Sequence, residues 1–323
     1  MPRVPIAELP EVIDRRWGMH RAVLALVGAV VLVAACSASP AGPGGPGSSS
    51  PQPSVAGASP GATGEIGAGL LVEISEVGGL VSPIDLATRV PGLAIYADGR
   101  VIRPVYLPTV FPGPLLPSVH ETRVTPAGLQ QVLELAGRDG LTAHDQRYPA
   151  RGVADVPDTV ITVVVNGTAV TSRFGALASG ETVSDPTEAA ARTGAEDFRA
   201  QLTGSSVLLA PYQVGQEAQY VPEAVQIVAV PGDPSSGVQP PELARLPLAW
   251  PLSVPLSAFG SSLPAGSGAP AARCGVVSGA DLRLLWPVLQ DATQISGFTS
   301  AGGTWTLTPR ALLPGEPGSC GGA

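Results

Sequence analysis

Val160-Ile161-Thr162-Val163-Val164-Val165-Asn166-Gly167-Thr168-Ala169-Val170-Thr171 is the stretch that decides the fold class. Two runs rich in β-branched side chains flank Asn-Gly, a pair that accepts the left-handed dihedrals of a two-residue hairpin turn. The β-branched density argues for a central place in a sheet, and the turn fixes the register. Asn166-Gly167-Thr168 also fits a glycosylation sequon, but between two such runs the turn is the simpler meaning.

Upstream, Leu70, Val72 and Ile74 alternate with Leu71, Glu73 and Ser75, the period of a half-buried strand, and Gly78-Gly79 breaks it. Leu93 to Ala97 and Arg100 to Arg103 flank Asp98-Gly99, a second two-residue hairpin signal. A helix follows: Thr125 as cap, Pro126 in the first turn, Leu129, Val132, Leu133 and Ala136 on one face, and Gly140 at the exit. Downstream, Asp185 caps a second helix with Pro186 in its first turn and Glu188 as reciprocal capping-box partner. Ala191, Ala195, Phe198 and Leu202 form its apolar stripe, and Gly204 stops it. Residues 224–230 read as another strand. Residues 231–273 are rich in Pro, Gly and Ser yet carry Leu248, Trp250, Leu252, Leu256 and Phe259, which suits an extended strap with a looser loop at 261–272. The last unit opens at Cys274. Ser278 and Asp281 have capping-box spacing, Leu282, Leu285, Trp286 and Leu289 mark a short helix that Pro287 should bend or end, and Thr304 to Thr308 alternate as a strand. The order predicts an α+β fold, an antiparallel sheet with two or three short helices, rather than a doubly wound one, because no βαβ alternation with a Gly-rich phosphate turn occurs.

The N-terminal part carries an address. Residues 22–35 are an apolar run shorter than the ~20 residues of a membrane-spanning helix, preceded by Arg15, Arg16, His20 and Arg21 and closed by Val33-Ala34-Ala35-Cys36. That ending matches a lipobox, in which the cysteine thiol receives a diacylglycerol and the peptide before it is removed. Residues 1–35 are thus expected to be a lipoprotein signal peptide. Met19 competes with Met1 as the start. Cys36 is the expected lipidation site, with palmitate among its acyl chains, and each buried methylene contributes about 0.8 kcal/mol to anchoring. An ordinary secretory or anchor segment ending at Cys36 is the alternative. Residues 36–66 are Pro, Gly and Ser with almost no large apolar side chains, a flexible stalk by composition. Residues 67–235 are expected to form an α+β domain, and 236–323 the strap and a C-terminal helix-strand unit.

Charge and cysteines narrow the function. The chain has 18 Arg and no Lys against 26 acidic residues, a net charge of −8. An acidic chain disfavours nucleic acid, whose binding draws on clustered positive charge. Residue usage rich in Ala, Gly, Pro and Arg without Lys looks like that of a high-GC actinobacterial genome. Besides Cys36 there are only Cys274 and Cys320, and in an oxidising exterior such a pair is read as a disulfide; two unlinked thiols are the alternative.

Motifs for chemistry are sparse. His120-Glu121 and His144-Asp145 could gather a metal if their loops met, but zinc or copper wants three well-placed ligands and no short ligand spacing exists. No Gly-x-Ser-x-Gly elbow or Cys-x-x-Cys is present, and a chain without Lys has no lysine base or Schiff base. Asp85, Glu121, Asp145, Asp155 and Asp158 are the carboxylates available for glycoside hydrolysis, although Asp155 and Asp158 bracket a Pro157 turn that suits solvent or a weak calcium contact. Trp250, Trp286 and Trp305 could line a groove for a peptide, glycan or apolar ligand, or fill the small C-terminal core.

Gly78-Gly79-Leu80, the hairpin from Leu93 to Ile102, Gly140-Leu141 and Leu312-Leu313-Pro314-Gly315-Glu316 before Cys320, taken together, resemble uncharacterised actinobacterial lipoproteins over roughly residues 70–320. The resemblance implies an exported α+β region and carries no catalytic or ligand-binding residue. The expected function is a non-enzymatic protein, lipid-anchored on the extracytoplasmic face of the cell membrane, that binds a protein partner or cell-envelope component without cofactor, metal or nucleic acid. The alternative is an envelope hydrolase using dispersed carboxylates or a Ser/His pair.

Overall fold

The computed structural model describes residues 69–105, 111–179, 183–203, 208–236, 246–263, 271–316 and 320. The signal segment, Cys36 and the stalk lie outside the described residues, as does Gly204.

The chain is α+β, but with two sheets where one was expected. Strands β1 (Leu70–Val77), β2 (Leu93–Tyr96), β3 (Arg100–Pro104), β4 (Val119–Val124), β5 (Gln146–Tyr148), β6 (Asp158–Val165), β7 (Thr168–Gly175) and β8 (Gln213–Gln219) form an eight-stranded sheet in the order β5-β7-β6-β1-β2-β3-β4-β8. A six-stranded sheet runs β10-β13-β14-β9-β12-β11, built from β9 (Ala224–Pro231), β10 (Leu248–Ala249), β11 (Ser261–Ser262), β12 (Arg273–Ser278), β13 (Gly297–Ser300) and β14 (Gly303–Ala311). Each sheet is mixed: β5 with β7 and β10 with β13 are parallel pairs, the rest antiparallel. The boundary between the sheets falls between Gln219 and Ala224, because both partners of β9, β12 and β14, come later in the sequence.

The hairpin of β6 and β7 has the expected register, Val165 opposite Thr168, with Asn166 at φ 51° and Gly167 at φ 77°. The other hairpin differs. Ile95 pairs with Val101, so three residues, Ala97 to Gly99, make its loop. Gly99 takes φ 89°, and a Cβ there would meet the Val124 carbonyl oxygen at 2.5 Å, which reserves the position for glycine.

One face of the large sheet carries helices α2 (Pro126–Arg138) and α3 (Pro186–Leu202). Val72, Ile74, Leu93, Ile95, Ile161, Val163 and Phe174 meet Val132, Leu135, Phe198 and Leu202 there, forming the main core. Thr125 caps α2 by accepting from Gly128 N, and Asp185 caps α3 by accepting from Thr187 and Glu188 N. Glu188 does not reciprocate as a capping box would: its buried carboxylate pairs with Arg192 and Arg151. The small sheet packs Val225, Ile227, Phe298 and Leu307 against α4 (Gly279–Asp291). Ser278 makes no side-chain cap, and α4 runs through Pro287 to Asp291 instead of ending near Trp286. Pro287 sits on the exposed side, where the carbonyl it leaves unbonded is open to water.

The opposite faces of the sheets meet. Helix α1 (Pro83–Thr88) lies on the small sheet, where Ala87 O accepts from Gln226 Nε2 at 2.7 Å. Ala311 and Leu313, at and beyond the end of β14, pack on Ala94, Tyr96, Ile102 and Val119 of the large sheet, and Tyr220 Oη donates to Leu312 O at 3.0 Å. Cys274 and Cys320 are joined by a disulfide beside Val228 and α1.

Candidate functional site

Strand β4 and the residue before it place Ser118, His120 and Thr122 on one side by the alternation of an extended chain, the side that carries α2 and α3 elsewhere in the sheet. His120 lies opposite Arg103 of β3. On its other flank β8 carries extra residues: Glu121 pairs with Ala218 and Arg123 with Val214, so four steps along β8 match two along β4. Gly215, at φ 74°, lies in this bulge, as does Glu217. A bulge re-aims a side chain, and Glu217 reaches back over the neighbouring strands.

The result is a four-residue relay. Glu217 Oε1 lies 2.8 Å from His120 Nδ1, His120 Nε2 lies 3.2 Å from Ser118 Oγ, and Arg103 Nη2 donates to Glu217 Oε2 at 2.8 Å. With Glu217 accepting from Nδ1–H, the Nε2 lone pair faces the serine hydroxyl. The hydrogen bond from Arg103, reinforced by that of His120, holds the Glu217 carboxyl below its ordinary carboxylate range.

Beside the relay is a depression of about 490 Å³. Ile74, Pro104 and Val105 give it apolar walls, and Glu76, Arg103, Arg199 and Glu217 charged ones. Val105 N donates to Ser118 O at 2.8 Å, which ties the wall to the relay. Arg199, near the C-terminal end of α3, also lines the depression, and its buried Nε has no hydrogen-bond partner among the described residues.

A second depression, of about 540 Å³, lies on the other side of the large sheet among Glu73, Arg89, Arg173, Arg310 and Glu316. Arg310 and Glu316 form a close ion pair. Burial first, and the Glu316 charge second, push the Glu73 carboxyl above its usual value. Burial likewise raises the Tyr220 hydroxyl to about 12. Because the Glu73 pKa is higher in the folded chain, its ionised form disfavours folding above that pKa and the penalty disappears below about 4.5, where the carboxyl is protonated in both states. Glu73→Gln is therefore expected to raise Tm at pH 7, with the two melting curves converging as pH falls to 4; a constant gap across that range would refute this sign.

The remaining sequence candidates scatter. His144 is exposed just before β5, six strand positions from β4 and so about 29 Å from His120 at ordinary strand spacing. The two histidines cannot share a metal, and among the described residues no three His, Cys, Asp or Glu side chains gather to hold one. Asp145 accepts from Thr171 N, Asp158 pairs with Arg173 at 2.6 Å, Asp85 accepts from Ser82 Oγ on α1, and Asp155 occupies a loop at φ 65°. Glu121 points away from the relay and pairs loosely with Arg123 at 3.6 Å. These carboxylates form no opposed pair. Of the two readings of the tryptophans the core one holds: Trp250 and Trp305 are buried in the small-sheet core, and Trp286 packs half-buried against it; apolar area outweighs the indole N–H, which in Trp250 is satisfied by Val254 O at 2.9 Å.

The chain matches no protein-family model, no curated protein and no solved structure. The site therefore stands on its own geometry. The sequence offers His120 as a weak metal candidate or a locally hydrogen-bonded histidine and leaves a Ser/His pair open without naming its members, so neither Ser118 nor Glu217 stands out in it. The one signal available was the Ser-x-His spacing, which puts both side chains on one side of any strand.

Proposed function

We propose that this protein is lipid-anchored through Cys36 on the extracytoplasmic face of the cell membrane and that its folded head binds a cell-envelope component at the depression beside β3, β4 and β8. The location rests on the lipobox reading of Val33-Ala34-Ala35-Cys36. An oxidised Cys274–Cys320 pair suits such a compartment. No described helix is long and apolar enough to cross a membrane, so the described part contributes no helical span of its own.

The observation that carries the binding is that two guanidinium groups, those of Arg103 and Arg199, line one depression and that the Arg199 Nε has no hydrogen-bond partner among the described residues. A buried guanidinium N–H without an acceptor costs free energy that an anionic group would recover. The component recognised is accordingly one bearing carboxylate or phosphate groups.

Two measurements test the reading. Metabolic labelling with an alkyne fatty acid should tag the wild-type chain and leave Cys36→Ala unlabelled and released from the membrane fraction; an unlabelled wild type sinks the anchor. Detergent-solubilised full chain should bind purified anionic envelope polymer, and Arg199→Ala should weaken that binding about tenfold, the loss of one charge-assisted hydrogen bond of roughly 1.5 kcal/mol. Equal affinity in the two proteins would remove the site.

A further inference from the structure

We propose that Ser118 is a nucleophile, with His120 as its base, in a site that cleaves carboxylic esters. This activity goes beyond ligand binding and does not depend on the anchor. A serine hydroxyl reacts at neutral pH only when an adjacent base takes its proton and a third group orients that base. All three are present in the required order. Ser118 Oγ is 3.2 Å from His120 Nε2 and Glu217 Oε1 is 2.8 Å from His120 Nδ1, and the second Glu217 oxygen is fixed by Arg103.

The surroundings differ from those of an incidental ion pair. The carboxylate that orients His120 comes from β8, 97 residues away in sequence, and its position is set by a bulge containing Gly215. The imidazole thus has a carboxylate on one nitrogen and a hydroxyl on the other. Next to them is a depression whose lining includes Arg103 and Glu217 of the relay, the apolar side chains of Ile74, Pro104 and Val105, and a second guanidinium, that of Arg199; positive charge there favours an oxygen on which negative charge develops.

Ser118 Oγ forms a bond to the acyl carbon as its proton passes to His120 Nε2. The C–O bond to the alcohol then breaks, and His120 returns the proton to the departing oxygen. Water attacks the acyl-serine with the same base, and the carboxylic acid leaves; one ester and one water give one acid and one alcohol. Ser118 and His120 are the catalytic residues. Glu217 and Arg103 are positioning residues.

The test uses the full-length chain in detergent with a fluorophosphonate probe, followed by peptide mapping, and with p-nitrophenyl butyrate as reporter ester. The expected result is one equivalent of probe on Ser118, none in Ser118→Ala, and labelling about 100-fold slower in His120→Gln, the low end for loss of a general base. Glu217→Gln should lower kcat for the reporter while leaving KM unchanged, a split that a purely structural role would not produce. Circular dichroism confirms that each variant is folded. A folded wild type unlabelled at Ser118, or labelled at the same rate in folded His120→Gln, overturns the assignment. Should His120→Gln fail to fold, wild-type labelling against that of Ser118→Ala decides alone.

Discussion

Glu188→Ala is expected to lower the unfolding free energy by about 3–5 kcal/mol, the cost of removing one partner from a buried ion pair. Glu188 is 3% exposed and lies 3.0 Å from Arg192 Nε through one oxygen and 2.6 Å from Arg151 Nη2 through the other. Arg192 is itself buried, and its Nη1 and Nη2 donate to the backbone carbonyls of Gly175 at 2.8 Å and Pro149 at 3.1 Å. The cluster therefore bolts α3 to the end of β7 and to the segment after β5. Without Glu188 a buried guanidinium keeps only neutral acceptors, and the low-dielectric surroundings that strengthen the pair penalise the unpaired charge. Arg151 is mostly exposed and its share of the pair is screened, so Arg151→Ala should cost much less, about 1 kcal/mol. Urea unfolding at pH 7 followed by circular dichroism measures both. A loss below 1 kcal/mol for Glu188→Ala would show that the pair is not a structural link.

Cys320→Ser is expected to cost about 4 kcal/mol on the chain-entropy view of cross-links. The bridge to Cys274 spans 46 positions and closes a loop containing α4, β13 and β14, which together make up much of the small sheet and its helix. Cutting it returns that loop's freedom to the unfolded chain. It also frees the chain end from Cys274, a residue 1% exposed beside Val228 and α1. Unfolding with and without dithiothreitol provides the control: the reduced wild type should match Cys320→Ser, and the variant should not respond to reductant. If reductant leaves the wild-type midpoint unchanged, the bridge contributes nothing to stability.

These two fasteners secure different halves of the molecule, and the candidate site depends on the first. Arg199 lies two turns along α3 from Arg192, so the ion-pair cluster fixes the helix whose C-terminal end faces the depression. Loosening it should degrade the site as well as the fold.

Local chemistry fixed what was readable from residues alone. Asn166-Gly167 specified its turn because few residues accept left-handed dihedrals in succession. Thr125-Pro126 and Asp185-Pro186 marked helix starts because free N–H groups need an acceptor and proline needs a position without a donor. Two cysteines in the folded part left a single disulfide pairing to consider. By contrast β4 and β8 passed unread. Val-His-Glu-Thr-Arg-Val interrupts its apolar alternation with charge, and Gln-Val-Gly-Gln-Glu-Ala-Gln is exposed throughout at a sheet edge, so neither has the hydrophobic period by which a strand announces itself. Pro287 misled in the other direction, since a proline on the wet side of a helix forfeits only a hydrogen bond that water replaces.

The sequence by itself determined the α+β class, the Thr125 and Asp185 caps, the clearest hairpin and the cysteine pair, all of which depend on neighbouring residues or on composition. Only the tertiary structure decided that two sheets form, that the tryptophans are core, and that Glu217 turns back on His120 beside Ser118. That last contact joins positions 97 residues apart through a bulge in a polar edge strand. Strand order and register set it, and both are properties of the whole sheet rather than of any window of its sequence.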